Sequence, residues 1–228
     1  PQGLPQADAE RRQLGPGAAA VMGHAARVEG GLDPPPGLVA RLPDQVRDDA
    51  VLDFDMLQTG HGGESSVATT ISTVRAERAR VPAMPVVVGE VSYEGILHGT
   101  GDEAQRLLFW AAMLSGAAGF TYGANGIWQV NTRTNPFGPS PRGANWGTTP
   151  WEDAYRLPGS GQLGICAKFL RRYPWYRFEP RQDWCDPAGG PENTGALFCA
   201  GIPREVRIVY LYNPVWPWQK PGPRVLGL

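Results

Sequence analysis

Hydrophobic and polar positions in the middle of this chain switch repeatedly between the two-residue period of strands and the longer period of helices. Residues 51–58 set Val51, Leu52, Phe54, Met56 and Leu57 among Asp53, Asp55 and Gln58, a strand pattern that carries carboxylates, and Gly60-His61-Gly62-Gly63 closes it. Ser65 or Ser66 then offers an N-cap. Val67, Ile71 and Val74 recur at helical spacing on the way to Arg80, which predicts an amphipathic helix lying on a sheet. Residues 85–91 form a near-continuous β-branched run through Gly89-Glu90-Val91, the composition of a strand buried on both faces. Thr100-Gly101-Asp102-Glu103 has capping-box spacing and opens a helix to about Ala118, with Leu107, Leu108, Ala111 and Leu114 on its packed side. Residues 120–123 are the next strand candidate, and Ser160 caps a helix to about Tyr173.

On either side of this block the pattern weakens. Residues 18–28 suit a helix that Gly30-Gly31 and the Pro34-Pro35-Pro36 run stop, and residues 37–42 suit a short strand. Residues 124–157 are rich in Gly, Pro, Asn and Trp and far longer than a passive connection needs; such loops are usually functional or mobile. From Pro174 onward, Pro- and Trp-rich loops surround one clear strand, residues 205–212, which marks a small β appendage. Alternating strands and helices build βα units around a parallel sheet. A (β/α)8 barrel keeps its chemistry at the C-terminal ends of such strands, and the count here falls short of eight.

Charge and composition narrow the function classes. The 228 residues carry 21 basic and 22 acidic side chains, a net charge of -1. That removes the electrostatic footprint of a nucleic-acid binder and the polybasic cluster of a protein drawn to anionic membranes. A neutral substrate fits the balance better. Gly 30 and Pro 23 bring the chain near the composition of disorder, but eight Trp argue for a packed, loop-rich fold. No apolar run approaches the roughly 18 residues of a membrane span. Residues 1–5 have neither the basic nor the apolar region of a signal peptide, and the chain reads as beginning inside a longer protein. Cys166, Cys185 and Cys199 lack zinc-site spacing; a Cys185–Cys199 bridge and reduced thiols are both open readings, so compartment and export stay undetermined.

The candidate chemistry centres on carboxylates. Glu90 closes a buried strand after Gly89, where a glycosidase places a nucleophile or general acid; the plainer reading is a glutamate that caps the next helix or pairs with an arginine. Glu94 is a possible second carboxylate or hydroxyl acceptor, with structural pairing the stronger reading. Asp53 and Asp55 share one strand face by parity, and His61 follows as a hydroxyl-binding or acid-orienting group or a histidine satisfied by backbone. Tyr122, Asn125, Trp128, Gln129 and Asn131 mix aromatic faces, which stack on the C–H faces of sugars, with amides that bond hydroxyls. A packed aromatic loop has the same composition. His61-Gly62-Gly63 faintly suggests a serine esterase, but no Gly-x-Ser-x-Gly elbow is present, nor GxGxxG after a strand, Walker A or HExxH.

Several of these stretches together resemble one family. Residues 52–61, Pro85 to Glu90 with Tyr93-Glu94-Gly95, Phe109-Trp110-Ala111 through Gly119, Thr121 to Gln129, Pro158-Gly159-Ser160 and Pro174-Trp175-Tyr176 resemble, in order and spacing, the apiosidase-like glycoside hydrolases. The resemblance implies an α/β fold in which residues 1–176 are the C-terminal part of a (β/α)8 TIM barrel and residues 177–228 begin a small, incomplete β appendage. It implies retaining hydrolysis of a plant cell-wall or related neutral glycan, with Glu90 as nucleophile. Asp53, Asp55, His61, Tyr93, Glu94, Tyr122, Asn125, Trp128 and Gln129 would line the sugar site. The general acid of such enzymes follows an earlier strand, upstream of Asp33-Pro34, and is expected outside this chain. The implied partner is an oligo- or polysaccharide, with no cofactor, metal, nucleic acid or membrane; oligomeric state is open. The alternative is a carbohydrate-binding protein without activity, or an inactive barrel fragment.

Overall fold

The computed structural model describes residues 40–41, 52–96, 100–127, 130–136 and 147–212, so the helix expected over residues 18–28 lies outside the described residues, as do Trp128 and Gln129. Four strands form the first sheet in chain order: β1 (Ala40–Arg41), β2 (Asp55–Gln58), β3 (Val86–Glu90) and β4 (Gly119–Phe120). Strands β2, β3 and β4 run parallel, joined by helix α1 (Glu64–Arg78) and helix α2 (Asp102–Leu114), the βα rhythm expected. β1 pairs with β2 antiparallel, Ala40 opposite Gln58. The sequence between them carries no helical pattern, and an antiparallel return needs no helical crossover.

Periodicity explains the packing. Val67, Ile71 and Val74 form the buried stripe of α1 and meet Leu57, Val86 and Val88 in one core cluster. The side-chain caps expected for α1 and α2 are absent, as is the one expected at Ser160, which lies inside its helix behind the N-cap residue Leu157. Gly63 and Gly101 occupy the N-cap positions of α1 and α2, and the Thr100 hydroxyl is buried without a partner. Asp102 and Glu103 still sit in the first turn of α2, where carboxylates suit the helix dipole. Gln105, residues 107–112 and Leu114 of α2 are buried and Met113 is half-buried, so the helix is covered nearly all round rather than along one side.

The cover comes from two later elements. Helix α3 (Trp151–Ala154) breaks the long loop, and α4 (Pro158–Leu170), with proline in its first turn, packs beside α2. A second sheet, antiparallel, orders β5 (Glu179–Pro180), β6 (Leu197–Ile202) and β7 (Val206–Leu211), and β6 lies against α2. Phe198, Ala200 and Ile208 join the same core cluster as the helices, and Tyr210 stacks on Trp110 at 5.6 Å. Gln182 Nε2 donates to the carbonyls of Leu114 and Cys199, and Arg75 Nη2 donates to the carbonyl of Gly189 at 2.9 Å. The β unit is therefore welded to α1 and α2.

Cys185 and Cys199 are joined as a disulfide, and Cys166 is free and buried. The bridge spans 14 residues and ties the segment carrying Trp184 to β6. Closing a loop of that size stabilises a fold by about 3 kcal/mol. The reduced protein, or the Cys185→Ser, Cys199→Ser double variant, should therefore show an earlier denaturation midpoint; coincident midpoints would mean the bridge adds nothing.

Candidate active site

The parallel sheet brings Glu90 to the C-terminal end of β3, and an irregularity in register decides where its side chain points. Leu57 pairs with Val88, but the next residue of β2, Gln58, pairs with Glu90, leaving Gly89 as the extra residue on β3. Without that slip Glu90 would share the face of Val86 and Val88, which are buried under the helices; with it, Glu90 joins Gln58. Gly89 also allows the close approach of the strands, since a Cβ there would lie 2.5 Å from Met56 Cγ.

Three groups converge on the Glu90 carboxylate. Gln58 Nε2 donates to Oε2 at 2.9 Å, His61 Nε2 lies 2.9 Å from Oε1, and the Tyr93 hydroxyl donates to the same carboxylate. The His61 turn is held on both sides. Gly60 and Gly63 have φ of +87° and +63°, the left-handed region that glycine enters without steric cost. Ser66, expected as a helix cap, instead donates to the Gly60 carbonyl and accepts from Gly62 N, while Ser92 accepts from Gly63 N. The Tyr93 ring packs edge-on to His61 at 4.6 Å and lies against Gly123, where a Cβ would come within 2.2 Å of the ring.

Burial pushes the Glu90 carboxyl up, but hydrogen bonding and charge from His61, with the Tyr93 and Gln58 bonds, outweigh it and hold the group below the ordinary carboxylate value. Glu90 is thus ionised at neutral pH. The Tyr93 phenol moves the other way, pushed up by burial and by the Glu90 charge beside it, so it stays protonated and keeps donating. Because the folded-state pKa of Glu90 lies below the unfolded one, its contribution to stability is full above the ordinary carboxylate range and is lost as pH falls through the lowered value. Carbon-13 titration of the Glu90 carboxyl should give a midpoint below that range, raised by His61→Ala. A wild-type midpoint at or above the range contradicts the arrangement.

The other expected sugar residues are placed differently. Asp53 is exposed ahead of β2, and Asp55 is buried at its first residue, paired with Val86. Val86 precedes Glu90 by four residues, about 13 Å along a strand. Asp53 and Asp55 therefore belong to the N-terminal end of the sheet, away from Glu90, and Asp55 shares parity with the helix-facing Leu57. Glu94 is buried, and its oxygens accept hydrogen bonds from the Tyr122 hydroxyl and the Gly159 backbone N–H. Asn125, 5% exposed, donates to the Gly95 carbonyl at 3.5 Å and the Thr149 hydroxyl at 3.4 Å, bonds that fasten the long loop. Asn131 does the same work, donating to the carbonyls of Gly147 and Thr149.

Of the expected residues, Glu90, His61 and Tyr93 come together, and Gln58 joins them unforeseen. Among the described residues no group of His, Cys, Asp and Glu has the arrangement of a metal site, and no helix is long and apolar enough to cross a membrane.

Comparison with known proteins follows the same direction. Residues 31–177 match the family described as "Apiosidase-like, catalytic domain". A solved structure described as "Glycoside hydrolase" aligns with TM-score 0.55 at 26% identity, covering 66% of this chain and 37% of that one. A glycoside hydrolase family 5 structure from Bacteroides vulgatus ATCC 8482 aligns with TM-score 0.59 at 23% identity, covering 71% of this chain and 38% of that one, a likeness of fold alone. The chain thus spans well under half the length of these solved structures. No curated protein matches it.

Proposed function

This chain belongs to the apiosidase-like family of glycoside hydrolases, and on that premise we propose that it carries the nucleophile of a retaining glycosidase acting on a plant cell-wall or related neutral glycan. One observation carries the reading: Glu90, at the C-terminal end of a parallel strand, is an ionised carboxylate held by three donors. A Glu90 oxygen attacks the anomeric carbon as the glycosidic C–O bond breaks, and the leaving oxygen takes a proton from a general acid. Water then cleaves the glycosyl ester, and the sugar leaves with its original anomeric configuration. Gln58, His61 and Tyr93 keep the carboxylate aimed and ionised.

In this reading β2, β3 and β4 are consecutive strands of a (β/α)8 barrel formed in part by residues 1–176, and residues 177–228 begin a β unit that seals α2. The general acid of this reading follows an earlier strand of the barrel, as in the family this chain resembles. Trp128 and Gln129, which follow β4 in the sequence, remain sugar-lining candidates together with His61 and Tyr93. The disulfide suits an oxidising compartment, as expected where the substrate is a cell-wall polysaccharide.

The second reading is glycan binding without hydrolysis, with Glu90 accepting a sugar hydroxyl rather than attacking the anomeric carbon. The intact gene product, incubated with neutral plant cell-wall oligosaccharides and followed by proton NMR, separates the two. Release of sugar with retained configuration supports the proposal. Binding without release, or release with inversion, rejects it.

A further inference from the structure

Glu94 is 4% exposed although it carries a carboxyl group on the loop that follows β3. Two other elements hold it. The backbone N–H of Gly159, in the first turn of α4, donates to Oε1 at 3.1 Å and Oε2 at 3.0 Å, and the Tyr122 hydroxyl, just past β4, donates to Oε2 at 2.6 Å. A carboxylate is favoured at a helix N-terminus. The fit is close, because a Cβ on Gly159 would stand 2.4 Å from Oε2 and displace the carboxylate. Backbone bonds run the same way: Glu94 N donates to the Gly123 carbonyl at 3.0 Å, and Asn125 N donates to the Glu94 carbonyl at 2.8 Å. Glu94 therefore fastens the loop after β3 to the end of β4 and to α4.

Its chain neighbour stands in the candidate site. Tyr93 bonds Glu90 through its hydroxyl, and its ring is trapped between His61 and Gly123, the residue between Tyr122 and Ala124. The position of Gly123 is set partly by the Tyr122 hydroxyl bond and partly by the parallel bridge between Glu94 and Ala124. The geometry points to Glu94 as a positioning residue for Glu90: by locking the loop after β3 to Tyr122 and the start of α4, it holds Tyr93 against Gly123 and keeps the Tyr93 hydroxyl on the Glu90 carboxylate. The role rests on the reading of Glu90 as nucleophile, and it replaces the sugar contact that the sequence suggested for Glu94.

Three variants loosen the clamp from different sides: Glu94→Gln, Gly159→Ala and Tyr122→Phe, the last removing a single hydroxyl. Each is read in the intact gene product by carbon-13 titration of Glu90, which faces His61 and Tyr93 as its titratable neighbours and Gln58 as a neutral one. The expected result is a Glu90 midpoint raised by about half a pH unit, because one donor to the ionised form is weakened. On a hydrolysed glycoside, kcat falls about tenfold with KM changed less than about twofold, as expected for a misplaced reacting group. A raised KM with an unmoved midpoint makes Glu94 a sugar ligand and overturns the proposal. Lower thermal stability with midpoint and kcat both unmoved makes it merely structural and overturns it as well. The titration needs no substrate, so a moved midpoint in a protein that hydrolyses no glycoside would reject the glycosidase reading while sustaining the clamp.

Discussion

Glu90→Gln is expected to lower kcat at least about a thousandfold, roughly 4 kcal/mol of transition-state stabilisation, on any glycoside the intact protein hydrolyses. The replacement keeps the volume and one oxygen but removes the charge that forms the bond to the anomeric carbon. Sugar affinity should change far less, within about threefold, because ground-state contacts come from groups around the carboxylate rather than from the attacking oxygen. The amide also presents an NH2 group to a site furnished with three donors, from Gln58, His61 and Tyr93. One of them must turn away, and Gln58, whose own amide can flip, is the side chain free to do so. Parallel measurement of kcat and of oligosaccharide affinity by calorimetry checks both halves. A variant that keeps more than a tenth of wild-type turnover removes Glu90 from the role of nucleophile.

Phe198→Ala is expected to cost about 3–5 kcal/mol, the range for removing a fully buried aromatic ring. Phe198 has 0% exposure and is the largest fully buried side chain of the described residues. It stands on β6, beyond the boundary at residue 177 proposed for the appendage, yet it belongs to the cluster that contains Leu57, Ile71 and Leu108 of the first sheet and its helices. The Trp110–Tyr210 stack and the bonds of Gln182 to Leu114 and of Arg75 to Gly189 cross the same line. A shared core makes the two parts unfold together, so thermal unfolding of the variant should remain one transition, displaced downward. Two transitions, with only one of them displaced, would show the β unit to be an independent domain.

The elements that position Glu90 were legible because their apolar residues are periodic or run together. Val67, Ile71 and Val74 mark one helix face, and the run from Val86 to Val88 marks a strand, although only Val86 and Val88 are fully buried and Val87 on the other face is half-buried, not covered on both sides as expected. Gln58 was not legible, since its approach to Glu90 depends on the slip at Gly89, and a lone glycine in a strand announces an irregularity without saying which residues it will pair. Asp53 and Asp55 misled for the opposite reason. Parity on a strand says which side a residue faces but not how far along it lies, and β2 starts at Asp55 rather than Val51. Asn125 and Tyr122 have the composition of a sugar site, but amides and phenols serve equally to fasten a loop, and their partners Thr149, Glu94 and Gly95 are set by folding. Strand β6 lies outside the one strand expected after Pro174, residues 205–212, and small Ala200 and Gly201 interrupt its apolar run. Gly201 is required there by contact, a Cβ on it falling 2.0 Å from the Val206 carbonyl oxygen and 3.1 Å from the Trp184 ring.

The most direct measurement is the identity of the residue that becomes glycosylated. A 2-deoxy-2-fluoro glycoside with a good leaving group, built on a sugar that the intact protein hydrolyses, slows the second step and lets the glycosyl ester accumulate for peptide mass spectrometry. The predicted result is a single adduct on the peptide containing Glu90, absent from the Glu90→Gln variant. An adduct on any other carboxylate, or hydrolysis with inverted configuration and no adduct, would contradict the account.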